Sequence, residues 1–96
     1  MMTDILTIND NIIPKFPKHV KFKYNKPRDE WVLLAPERLV KLDKVAVEIL
    51  QLVDGMKKVS DISKSLAEKF SAPIEVINKD VISMLQTLAV KGFIAE

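Results

Sequence analysis

The order of apolar and polar positions predicts strands in the first half of the chain. Val20, Phe22 and Tyr24 alternate with lysines, which is the period of a strand with one apolar face. Residues 31–34 are apolar at every position, which indicates a strand covered on both faces. In the next segment, Val40 and Leu42 fall on one face, and Leu39 and Lys41 fall on the other. We therefore expect strands over residues 19–24, 30–35 and 38–43.

A helical period begins after Asp43, a favourable N-cap, and predicts helices over residues 44–54, 60–70 and 73–91. Gly55 is expected to end the first helix in a left-handed conformation, with Met56 folding back on Leu50, and Gly92 to end the third. The apolar stripes expected to be buried are Val45, Ala46, Ile49, Leu50 and Val53, then Ile62, Leu66 and Phe70, and finally Ile74, Ile77, Val81, Met84, Leu85 and Leu88.

This order of elements predicts an α+β, winged-helix-like fold: a three-stranded antiparallel sheet followed by three helices. The sequence Ala35-Pro36-Glu37-Arg38 is typical of a type I turn between the second and third strands. Residues 1–13 have no clear period and are interpreted as an N-terminal tail or arm. Residues 14–96 are interpreted as a single domain.

Composition limits the chemistry and the compartment. The 96 residues suit one modest core, and the absence of cysteine excludes disulfides, thiolate zinc sites and thiol catalysis. No apolar run is long enough to cross a bilayer, so no membrane contact is expected. Residues 1–13 contain two aspartates and lack a basic segment leading into an apolar one, which argues against a signal peptide. A cytoplasmic protein is the expectation.

Charge is uneven along the chain. Residues 12–28 contain six lysines or arginines and no acid, whereas residues 31–96 contain nine basic and nine acidic side chains. The basic segment has two interpretations. It protects the edge of the first strand against unwanted pairing, or it contacts an acidic partner, peptide or nucleic acid.

Side chains that would support catalysis or metal binding are scarce. His19 is the single histidine, the carboxylates are scattered, and both glycines fall at predicted helix ends. The serines Ser60, Ser63, Ser65 and Ser71 are interpreted as caps or solvated positions. Trp31 is interpreted as a core residue, with the border of a binding groove as the alternative. We expect no catalytic residues, no metal, no cofactor and no enzymatic activity.

The third strand is the element that points to binding. If the strands pair in sequence order, residues 39–42 have an open edge with only Lys41 in its interior to discourage pairing. An open edge beside an apolar helix stripe is what a peptide needs in order to bind as an added strand. The alternative is that loop or tail residues cover this edge.

These segments together resemble the PqqD family of pyrroloquinoline quinone biosynthesis. The resemblance rests on "WVLLAPERLVKLD", a helix ending "DG", "VSDISKSLAEKF", "AP" and "LAVKGFI", and covers about residues 19–94. It implies a peptide chaperone that binds a ribosomal precursor peptide between the third strand and the third helix. It also implies a partner, a radical S-adenosylmethionine enzyme, that cross-links a glutamate and a tyrosine of the peptide.

The resemblance assigns the predicted groove to two segments of this chain. The expected peptide-binding residues are Arg38, Leu39, Val40, Lys41, Leu42, Ile77, Val81, Met84 and Leu85.

The rival interpretation, a nucleic-acid-binding winged helix, is disfavoured because Glu75 and Asp80 offset Lys79 and Lys91 on the last helix. The open edge leaves a monomer and a weak or strand-exchanged homodimer as alternatives.

Overall fold

The computed structural model describes residues 5–96, and residues 1–4 of the predicted tail or arm lie outside the described residues. The predicted order of three strands and three helices is confirmed. The elements are β1 (Lys21–Asn25), β2 (Glu30–Ala35), β3 (Arg38–Lys41), α1 (Lys44–Leu50), α2 (Val59–Phe70) and α3 (Ile74–Val90), with a 3-10 turn at Lys26–Arg28. The sheet is antiparallel with strand order β1-β2-β3, so β3 is an edge strand.

The sheet has an inner face that packs on the helices and an outer face. Leu33 is fully buried, and its cross-strand partners Phe22 and Val40 pack against the same core. The outer face carries Val32 between Lys23 and Lys41. Apolar side chains on both faces of β2 explain its continuous apolar sequence, because alternate side chains of a strand point to opposite faces.

The β2–β3 turn is not the type I turn expected from the sequence. Glu37 has a φ of 129°, whereas a type I turn requires negative φ at both central positions. Pro36 still fits the first central position, since its ring fixes φ near −65°. The predicted location of the turn is correct, and its type is wrong.

The first helix is shorter than predicted. Asp43 caps it as expected, accepting a hydrogen bond from the Ala46 amide at 2.8 Å, but the helix ends at Leu50 rather than near residue 54. The Asp54 carboxylate then accepts hydrogen bonds from the Met56 and Lys57 amides. These bonds organise a turn in which Gly55 has a φ of 78°. Met56 is 80% exposed, so its predicted contact with Leu50 is wrong.

The second helix departs from its predicted stripe at two positions. Ile62 and Leu66 are buried as expected, whereas Phe70 is 51% exposed. Ser63, interpreted as a cap or solvated residue, is fully buried, and its hydroxyl donates to the Asn78 side chain at 2.7 Å. The half-buried Asn78 in turn donates to the exposed Asp10, and these bonds link α2, α3 and the N-terminal segment.

The N-terminal segment is an arm that packs along α3. The Gln86 side chain accepts from the Ile8 amide and donates to the Leu6 carbonyl, both at 2.9 Å. Ile8 is 4% exposed and belongs to the main core. The boundary after residue 13 remains a prediction, but the core includes a residue on its N-terminal side. At the other terminus, Lys15 and Ala95 form an antiparallel bridge.

Burial of the arm predicts unequal effects for its two isoleucines. Ile8→Ala should lower the free energy of unfolding by roughly 2–5 kcal/mol, because it removes buried methyl groups and leaves a cavity. Ile5→Ala is the matched control: Ile5 is 54% exposed, so its replacement should change stability by no more than about 0.5 kcal/mol. Urea denaturation measures both. Equal, small effects would show that the arm does not stabilise the domain.

Candidate functional site

The open edge of β3 presents backbone groups that β2 does not satisfy. The Leu42 amide donates to the Trp31 carbonyl at 3.0 Å, which makes these residues a hydrogen-bonded pair. Such pairs alternate with non-bonded pairs in an antiparallel ladder, so Val40 also directs its N–H and C=O toward β2. The N–H and C=O of Leu39 and Lys41 therefore point away from the sheet, toward the open edge.

Helix α3 lies across from this edge and runs antiparallel to β3. At the start of β3, the Arg38 guanidinium donates to the Lys91 carbonyl, which follows α3, at 2.7 Å. At the other end, Val45 of α1 lines the same cavity as Ile77 and Val81 of α3. These two contacts place α3 on the side of the open edge, and the space between the edge of β3 and α3 is the candidate groove. Residues 77–90 of α3 extend about 20 Å along it at 1.5 Å per residue.

One face of α3 forms a side of this groove. Ile77, Val81, Met84, Leu88 and Lys91 recur at spacings of three and four, so they share a face of the helix. Val81 and Leu88 are 1% and 6% exposed, whereas Ile77 and Met84 are half-buried. The accessible apolar surface on this side of the groove therefore comes from Ile77 and Met84, supported by buried neighbours.

The residues predicted from the sequence divide into three groups in the structure. Leu39 and Lys41 supply the outward backbone groups, and Arg38, Val40, Leu42, Ile77 and Met84 border or support the groove. Val81 is buried and reaches only the cavity at one end. Leu85 is 0% exposed and lies in the core, so it has no surface for a ligand. Contact of any of these residues with a peptide remains a prediction.

A mostly apolar cavity of about 260 Å³ at the α1 end of the groove was not predicted. Its lining residues are Lys44, Val45, Glu48, Ile49, Leu66, Phe70, Ile77, Asp80 and Val81. Val45 and Phe70 are 61% and 51% exposed because they border this cavity rather than filling the core. The sequence identified Val45 and Phe70 as apolar helix residues. The helical period alone, however, does not distinguish a residue that lines a cavity from one that fills the core.

Arg38 closes the other end of the groove. Besides its hydrogen bond to Lys91, its guanidinium lies 4.6 Å from the centre of the Phe93 ring, and Phe93 is fully buried. A charged donor to a carbonyl together with a cation–π contact joins the edge strand to the segment after α3. This contact fixes the distance between the two sides of the groove at that end.

Trp31 lies in an aromatic row on the inner face of the sheet. Its ring stacks on Phe22 with centroids 4.9 Å apart and lies 5.4 Å from the ring of Tyr24. The Tyr24 hydroxyl donates to the Asp29 carboxylate, and this hydrogen bond raises the pKa of Tyr24. Trp31 is half-buried and packs on these two rings rather than in the main core, so its interpretation as a core residue does not hold. It does not line the cavity beside α1 either.

Among residues 5–96, no three histidine, cysteine, aspartate or glutamate side chains are grouped so that they could hold a metal ion. Nor does any helix within that range combine the length and the apolar character needed to cross a membrane. The exposed His19 lies just before β1, away from the groove.

Comparison with known proteins agrees with the fold described above. Residues 30–94 match the family described as "Coenzyme PQQ synthesis protein D (PqqD)". A relative from Bradyrhizobium diazoefficiens, named "PqqA binding protein", is 48% identical over 91 residues, which are 95% of this chain and 88% of the relative. The chain belongs to the PqqD family. The predicted fold class and the resemblance stated from the sequence are thereby confirmed.

Two solved PqqD structures resemble the chain. The solution structure of the PqqD part of Methylobacterium extorquens PqqCD, described as a functional and stand-alone recognition element for ribosomally synthesized, modified peptides, matches with a TM-score of 0.80 and 36% identity. The match covers 93% of this chain and 95% of that one. The crystal structure of PqqD from Xanthomonas campestris matches with a TM-score of 0.56 and 39% identity, over 88% of this chain and 94% of that one.

The role of Arg38 in joining β3 to the end of α3 is testable by substitution. Arg38→Met should lower the free energy of unfolding by roughly 1–3 kcal/mol, because it removes a charged hydrogen bond and the cation–π contact. Arg28→Met is the matched control, since Arg28 is exposed in the 3-10 turn and should tolerate the change within about 0.5 kcal/mol. If urea denaturation gives both variants the same stability as the parent, Arg38 does not hold the groove together.

Proposed function

We propose that this protein binds PqqA, the ribosomal precursor peptide of pyrroloquinoline quinone biosynthesis, as a strand added to β3. The observation that carries the proposal is the outward direction of the N–H and C=O groups of Leu39 and Lys41 beside an apolar face of α3. Main-chain bonds to an exposed edge give affinity in this mode of recognition, and pockets for alternate side chains give specificity. The name of the Bradyrhizobium relative supports the choice of ligand.

The available contacts are sufficient for a stable complex. Four main-chain hydrogen bonds are worth roughly 0.5–1.5 kcal/mol each. Two apolar peptide side chains buried against Val40 and Met84 add about 1.5–3 kcal/mol each. Ordering a flexible peptide costs several kcal/mol, so we expect a dissociation constant between nanomolar and tens of micromolar.

The cavity beside α1 extends the groove beyond the strand. A peptide that follows β3 toward Lys44 would reach the apolar opening formed by Val45, Ile77 and Phe70. The salt bridge of 2.7 Å between Glu48 and Lys69 holds α1 against α2 next to this opening. We propose that the cavity accepts a large apolar side chain from the peptide segment that flanks the added strand.

We further propose that the protein is a carrier rather than a catalyst. It would present the bound peptide to a radical S-adenosylmethionine enzyme, which would make the glutamate–tyrosine cross-link in the cytoplasm, where the precursor is synthesised. The open edge of β3 also suits a second copy of the chain. We therefore propose a monomer in equilibrium with a weak or strand-exchanged homodimer, with excess peptide favouring the monomer.

Replacing Lys41 by proline tests the proposed strand addition. The proline removes the outward N–H and places a ring at the open edge, so Lys41→Pro should weaken PqqA binding by about tenfold or more. Lys41→Ala is the matched control, because it keeps the amide and removes only the side chain, and it should lose much less affinity. Isothermal titration calorimetry with synthetic PqqA gives both values.

The result depends on Lys41→Pro remaining folded, which a circular dichroism melt establishes. A folded Lys41→Pro variant that binds PqqA as tightly as the parent would place the peptide elsewhere on the molecule.

A further inference from the structure

The geometry of β3 determines which side chains of an added strand would meet which residues of the protein. Leu39 and Lys41 direct their backbone groups toward the open edge, so they would form hydrogen-bonded pairs with a peptide strand that runs antiparallel to β3. Directly opposed side chains of an antiparallel pair lie on the same face of the sheet. Two peptide residues, separated by one, would therefore lie on the outer face beside Leu39 and Lys41. The residue between them would point into the groove, beside Val40.

The outer face of the sheet is cationic with an apolar centre, and the two peptide residues would lie on this face. Lys23, Val32 and Lys41 form one cross-strand row, and Lys21, Leu34 and Leu39 form the next. Val32 is 2% exposed, so the two lysines beside it have room to cover it with their aliphatic stems while their ammonium groups remain in water. The outer face thus has three positive charges, and of these only Lys41 lies on the edge strand β3.

Acidic side chains of the protein do not neutralise Lys41. The described residues contain two salt bridges, Asp54–Lys57 and Glu48–Lys69, and neither includes a lysine of the outer face. Glu30 lies on the same face, beside Asn25 at the end of the sheet, without a salt bridge to Lys41. Asp43, the next residue along the edge with the same orientation, directs its carboxylate to the Ala46 amide instead. On its cross-strand row, Lys41 has Val32 on one side. The other side is the open edge, where a residue of the peptide would lie.

We propose that the peptide strand bound at β3 carries an acidic side chain directly opposite Lys41 and an apolar side chain opposite Leu39, two residues away. The inference rests on the proposed strand addition and specifies the sequence that the groove selects. Opposite charges facing each other across a strand pair are favourable, and like charges are unfavourable, so Lys41 selects against a basic residue there. Leu39, 53% exposed, gains from an apolar neighbour that covers it.

A charge exchange between protein and peptide tests the proposal. Lys41→Glu should weaken binding of synthetic PqqA about threefold to tenfold, because an attraction becomes a repulsion. A set of PqqA peptides, each with one acidic residue replaced by lysine, is then titrated against both proteins. One peptide should bind Lys41→Glu more tightly than the parent protein, with an affinity within about twofold of the original pair.

Lys23→Glu is the matched control. It makes the same change in net charge on the same row and face as Lys41→Glu. Lys23, however, lies two strands from the open edge, about 15 Å from the added strand. This distance exceeds the Debye length at physiological salt, so its charge is screened from the peptide. It should change the affinity for PqqA by less than about twofold and should rescue no peptide.

The outcomes separate this inference from the proposed function. A parent protein that does not bind PqqA would overturn both. Binding by the parent without rescue of any peptide by Lys41→Glu, or equal losses for Lys41→Glu and Lys23→Glu, would overturn the inference alone. In that case the outer lysines act only as a general positive field or as protection of the sheet.

Discussion

The unsatisfied backbone edge of β3 is the constraint on which the rest of the structure depends. Each outward N–H and C=O of Leu39 and Lys41 needs a partner, and in the isolated domain that partner is water. The strand order gives β2 a neighbour on each side and leaves β3 at the border. The fully buried Leu33 then anchors the sheet on the helices. The core is therefore built around the middle strand, and the outer strand remains available for pairing.

The groove keeps its shape because α3 is held from both sides. On one side, Gln86 is bonded to the backbone of Leu6 and Ile8, so the N-terminal arm lies along the helix. At the end of the helix, Arg38 connects β3 to the Lys91 carbonyl and to the ring of Phe93. These contacts hold α3 in place beside the edge strand. A groove bordered by such fixed elements lowers the ordering cost that the protein itself contributes to binding.

Periodicity was sufficient to predict the fold, including the edge strand and the helix that border the proposed groove, because strand and helix periods depend on single positions and their neighbours. The strand predicted over 38–43 and the helix predicted over 73–91 agree with β3 and α3 to within two residues for this reason. Details that depend on tertiary packing were missed. Leu85 follows the same helical period as Met84 but lies in the core, and Val45 and Phe70 border a cavity instead of filling it.

Two further features could not be derived from local patterns. The early end of α1 follows from the turn that Asp54 organises, and the arm is ordered by a side chain 78 residues further along the chain. The register of the β2–β3 pair determines which amides of β3 are bonded to β2 and which are free. The sequence is compatible with two registers, and the roles of Leu39 and Val40 are exchanged between them.

Amide hydrogen exchange of the isotopically labelled protein, measured by NMR with and without PqqA, tests strand addition most directly. The account predicts that the Leu39 and Lys41 amides gain protection on binding. The Val40 and Leu42 amides, already bonded to β2, and the Ile8 amide on the arm should change little. Protection that instead appears at Phe22 and Tyr24, whose amides face the opposite edge of the sheet, or no gain at Leu39 and Lys41 under saturating peptide, would contradict it.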